Sequence, residues 1–96
     1  MVGGLKIILV KAGHVQEFES LFRELRAAMR EHEPDCLLYS LLKSRTNPLS
    51  YIVHEQYRDQ RALDAHQASA HGAIYFPKMR AILESINVEY FDVVVP

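Results

Sequence analysis

The stretch CLLYSLLKSRTNPLSYIVHEQY, residues 36–57, decides how this chain folds. Cys36 to Lys43 and Ser50 to Tyr57 are rich in leucine, isoleucine, valine and tyrosine, and both read as strands. Between them Ser44-Arg45-Thr46-Asn47-Pro48 is a polar turn, so the two strands form a hairpin.

Upstream of the hairpin, Pro34 pushes the residue before it out of the helical region and ends whatever precedes it. From His14 to His32 the apolar residues Val15, Phe18, Phe22, Leu25 and Met29 recur at three- and four-residue spacing, with Leu21 and Ala28 widening the stripe. That is an amphipathic helix. Before it, Leu5 to Val10 is a β-rich apolar run closed by Lys11-Ala12-Gly13, a strand and a turn.

Downstream, Asp59 is a good N-cap for a short helix through Ala68, and Ser69 can cap another. Ala70 to Ser85 carries Ile74, Tyr75, Met79, Ile82 and Leu83 at helical spacing. Pro77 within it either kinks one helix or opens a new one. Asn87 to Val95 reads as a last strand. The order β-α-β-β-α-β, with the second helical region in two pieces, is the ferredoxin-like α+β arrangement with a four-stranded antiparallel sheet.

At 96 residues the chain suits one domain, residues 1–96. Eleven basic against twelve acidic residues leave no electrostatic footprint for nucleic acid or anionic membranes. A single cysteine, Cys36, can neither close an intrachain disulfide nor build a cysteine metal site, which suits the cytoplasm. The N-terminal apolar run is too short for a membrane span.

The strands do not alternate as a half-solvated sheet should. In Leu5–Val10, Cys36–Leu42 and Val93–Val95 both faces carry apolar residues. With the helices on one side, the other face predicts cover from a second copy, a homodimer packed sheet to sheet.

Tyr51-Ile52-Val53-His54-Glu55-Gln56-Tyr57-Arg58-Asp59, followed by Ala62-Leu63, His66, Ser69 and His71, resembles the antibiotic-biosynthesis-monooxygenase family. That family's pattern is a strand ending in Glu-x-aromatic, a cap, Ala-Leu, a histidine, then a small residue and a second histidine. Gly13 before a helix holding Phe18, and Glu33-Pro34-Asp35-Cys36-Leu37-Leu38-Tyr39 at the second strand, extend the likeness over nearly the whole chain. The resemblance implies a dimeric α/β barrel with a pocket in each subunit between sheet and helices. It also implies a cofactor-independent monooxygenase, without metal or flavin, acting on a phenolic or quinol-type aromatic. Related activities it leaves open are isomerisation or breakdown of a small oxygenated metabolite, and ligand binding without chemistry.

His66 follows Leu63 by three residues and shares the inward helix face, where an imidazole can take a phenolic proton near neutral pH. His71 lies past the break at Ser69 and is the other candidate base. Five residues apart with no obvious third ligand, the two histidines do not form a metal motif. Tyr57, Glu55 and Tyr51 share one face of the third strand, so Tyr57 joins the catalytic candidates while Glu55 and Tyr51 are candidates for holding substrate. Tyr75, Tyr39 and Phe22 could line the pocket for a planar ring. The chain has no tryptophan, which argues against the haem-degrading branch of the family.

Overall fold

A computed structural model describes residues 1–96. The elements run β1 (Val2–Val10), α1 (Val15–His32), β2 (Cys36–Lys43), β3 (Ser50–Tyr57), α2 (Gln60–Gln67), α3 (Ala70–Arg80) and β4 (Leu83–Asp92). The four strands form one antiparallel sheet in the order β2-β3-β1-β4, the ferredoxin-like arrangement read from the sequence. No helix is long and apolar enough to cross a membrane.

Local chemistry fixes the boundaries around the turns and the helix starts. Gly13 takes φ +84, where a side chain is strained, and turns the chain from β1 into α1. In the β2–β3 turn Ser44 Oγ accepts from the Thr46 and Asn47 N–H groups, at 3.2 and 3.1 Å. The Asn47 side chain accepts from Leu49 N–H at 3.0 Å. Asp59 caps α2 by accepting from Ala62 N–H at 2.9 Å, and Ser69 caps α3 by accepting from Gly72 N–H at 3.0 Å. Each cap contributes about 1 kcal/mol.

Four boundaries differ from the sequence reading. The first strand starts at Val2 rather than Leu5, because Val2, Gly3 and Gly4 pair with β3 on one side and β4 on the other. The helix with Pro77 inside stops at Arg80, short of Ser85. The last strand then begins at Leu83, four residues before Asn87, and ends at Asp92, short of Val95. Pairing with β1, which takes Leu83 opposite Val10 through a register shift, overrides the helical spacing of Ile82 and Leu83.

Phe18, Phe22, Leu25 and Met29 from α1 pack on Ile8, Val10, Tyr39, Tyr51 and Val53 from the sheet, with Met79 and Ile82 completing the core. The opposite sheet face is uncovered. Leu42, Ile52 and Ile7 lie in one row across β2, β3 and β1, and all three are exposed, Ile7 at 55%.

Candidate active site

The side of the sheet under the helices also carries polar groups. Period two along β1 puts Lys6 on the same face as Ile8 and Val10, and along β3 it puts Glu55 between Val53 and Tyr57. Glu55 is fully buried. Its Oε2 lies 3.1 Å from the Lys6 ammonium, and its Oε1 accepts from the Tyr57 hydroxyl at 3.3 Å. Gly4, opposite Glu55, makes room for this: a Cβ there would lie 2.9 Å from Glu55 Cγ and 3.0 Å from the Tyr90 ring.

His66 closes the site from α2. It is 1% exposed and packed among the rings of Tyr39, Tyr57 and Phe76, with centroids 5.3, 5.4 and 5.2 Å away. Gly72 allows the Phe76 contact, since a Cβ there would stand 2.4 Å from that ring. Glu33, the residue that ends α1, reaches the His66 Nδ1 with both oxygens, at 3.0 and 3.1 Å, and also takes the His71 Nε2. A carboxylate only accepts, so both imidazoles donate to it and His66 carries its proton on Nδ1. His66 Nε2 is left buried and without a partner. Burial lowers the His66 pKa below its ordinary value, with Glu33 pulling the other way.

A cavity of about 290 Å³ opens beside this histidine. Its walls include Lys6, Tyr39, His66, Phe76 and Met79, and Ile86, Val88 and Tyr90 from β4, whose inner face the helices leave uncovered. The Tyr90 hydroxyl accepts from the Gln67 side chain at 3.2 Å, joining β4 to the end of α2.

Of the residues singled out from the sequence, His66 and Tyr39 are on the cavity wall. Burial holds the Tyr39 phenol well above its usual pKa, so it stays neutral. His71 lies behind Glu33, its ring stacked on His32 at 5.9 Å. Glu55 and Tyr57 lie beneath Lys6 and His66; burial and the Glu55 charge raise the Tyr57 pKa far up, which suits a hydrogen-bond donor and not a base. Tyr51 and Phe22 line a separate cleft with Glu19 and Lys43, where the Tyr51 hydroxyl donates to Glu19 at 2.5 Å. Tyr75 is half-buried against the core under Lys78.

Glu33 and Lys6 were not singled out from the sequence. Each leaves a signal there: an acid at the C-terminal end of a helix opposes the macrodipole, and a lysine in phase with Ile8 and Val10 sits on a core face.

A ferredoxin-like sheet and helices around a cavity with a carboxylate-anchored, unpartnered imidazole in its wall are an arrangement suited to a small molecule and to acid–base chemistry. The chain belongs to the antibiotic biosynthesis monooxygenase family, whose model matches residues 3–75. A crystal structure from Caulobacter crescentus CB15, named as a candidate antibiotic biosynthesis monooxygenase, is similar at 29% identity and TM-score 0.92, covering 98% of this chain and 90% of that one. A second structure named as an antibiotic biosynthesis monooxygenase has 28% identity and TM-score 0.88, over 99% of this chain and all of the other. A conserved protein from Methanosarcina mazei Go1 has 25% identity and TM-score 0.87, over 94% of this chain and 89% of that one. No curated protein matches the sequence. Family and neighbours together point to a monooxygenase-type function.

Proposed function

We propose that this protein is a cofactor-independent monooxygenase that oxidises a small phenolic or quinol-type aromatic with dioxygen. The observation that carries the reading is the His66 Nε2 lone pair, buried at the cavity wall while Glu33 holds Nδ1. Neutral at physiological pH, the imidazole takes the phenolic proton, and Glu33 steadies the imidazolium that forms. The resulting oxyanion gives an electron to dioxygen, and the radical pair joins at a ring carbon to form a hydroperoxide, protonated from His66. Loss of water leaves a new carbonyl, so one oxygen atom enters the product and the other leaves as water. Tyr39 and Phe76 offer flat walls to a planar ring.

The test is an oxygen electrode with a panel of reduced quinols and anthrones. Uptake is expected to depend on the protein and on no added metal or flavin. Product formation that continues unchanged without oxygen would instead make the protein an isomerase or a degrading enzyme acting by proton transfer alone.

The working unit on this reading is a homodimer joined through the outer sheet face. The exposed row of Leu42, Ile52 and Ile7 supports it, since such a face gains by being taken out of water. Sedimentation should give twice the chain mass for the native protein and a single chain mass for Ile7→Lys; a native monomer at micromolar concentration would end the dimer proposal.

A further inference from the structure

The charges around the cavity are sorted by depth. Its wall includes two cations, Lys6 and Arg80, and no carboxylate. The two acids nearest the site, Glu33 and Glu55, both lie behind the residues they serve, Glu33 on the far nitrogen of His66 and Glu55 beneath Lys6. The Lys6–Glu55 pair therefore turns its positive end to the cavity. The Lys6 side chain is 15% exposed where Glu55 is 0%, and its ammonium sits 5.6 Å from the Tyr39 ring centroid, the ring that also touches His66. An ammonium has three N–H groups, and Glu55 Oε2 is the one acid oxygen beside this one. Arg80 is exposed, so water screens its charge more than that of Lys6.

We propose that the cavity binds its aromatic ligand as an oxygen anion conjugated to the ring, with the Lys6 ammonium as counter-ion. The inference rests on the proposed use of this cavity and narrows its substrate to an acidic hydroxyaromatic. His66 takes the proton, the O–H bond breaks, and the electron pair left on oxygen is held by Lys6 across the Tyr39 ring. An opposite charge a few ångströms away favours the charged form of a bound acid by one to three pKa units, roughly tenfold or more in binding preference for the anion. Neutral aromatics of the same shape gain nothing from it.

The experiment compares binding of 4-nitro-1-naphthol, at a pH where it is fully ionised, with that of its methyl ether, followed by tryptophan-free absorbance difference titration. The native protein is expected to prefer the naphtholate by roughly tenfold or more. Lys6→Gln should abolish that preference, Lys6→Arg should keep most of it, and Arg80→Gln should change it little. His66→Ala should retain it, because the probe arrives without its proton. Equal binding of anion and ether by the native protein, no binding of either, or a preference that survives Lys6→Gln would each overturn the proposal. The outcome is independent of oxygen uptake: a Lys6-dependent preference with no turnover leaves the anion site standing and removes the monooxygenase reading, and the reverse result does the opposite.

Discussion

His66→Ala is expected to lower kcat/KM for oxygen-dependent turnover by roughly 10²–10⁴-fold, the usual contribution of a positioned general base. The pH profile should identify the group. A base works when neutral, so the rate rises with pH through its pKa and levels off above it. Burial holds the His66 pKa below its ordinary value of about 6.5, so the acid limb should lie below that pH. Glu33→Gln removes the charge that opposes burial and should move the limb lower still. It should also cut the plateau rate, because an amide offers one acceptor to two imidazole N–H groups and can instead donate to Nδ1. That would move the His66 proton to Nε2 and occupy the lone pair; in a serine-protease triad the wrong tautomer costs about 10⁴-fold. Turnover unchanged in His66→Ala, or an acid limb that does not move in Glu33→Gln, would remove His66 as the base.

The fold was legible where the signal is local, and less so where it depends on distant partners. Phe18, Phe22, Leu25 and Met29 repeat along one helix face and all are buried there, so α1 needed no tertiary information. Asp59 and Ser69 cap α2 and α3 as their residue types predict. The start of β4 was hidden because Ile82 and Leu83 continue the spacing of α3, and only the pairing of Leu83 with Val10 makes that stretch a strand. The site follows the same division. His66 could be found by its phase with Leu63, but the group that orients it, Glu33, is 33 residues away, and nothing in the chain order joins them. Lys6 is similar: its phase in β1 marks it as inward, while the carboxylate that makes this tolerable comes from β3.

The dependence of Lys6 on that distant carboxylate also sets the largest stability effect. Glu55→Ala would leave the Lys6 ammonium without its counter-charge and the buried Tyr57 hydroxyl without its acceptor. Removing one partner of a buried ion pair costs about 3–5 kcal/mol. Lys6 keeps a little contact with water, which argues for the lower end, about 3 kcal/mol. For a domain of this size that is a fall in Tm of roughly 12–24 °C, readable by circular dichroism. Replacing the whole set, Lys6→Met and Glu55→Leu with Tyr57→Phe, takes both charges and the hydroxyl that donates to Glu55 away together and should recover most of the loss, because a well-packed apolar cluster avoids the desolvation cost. The triple variant thus separates two roles of the pair. It should melt near the native temperature and yet bind the naphtholate no better than its ether. If Glu55→Ala alone is as stable as the native protein, the carboxylate is not what keeps Lys6 in place, and the orientation of its charge towards the cavity loses its structural cause.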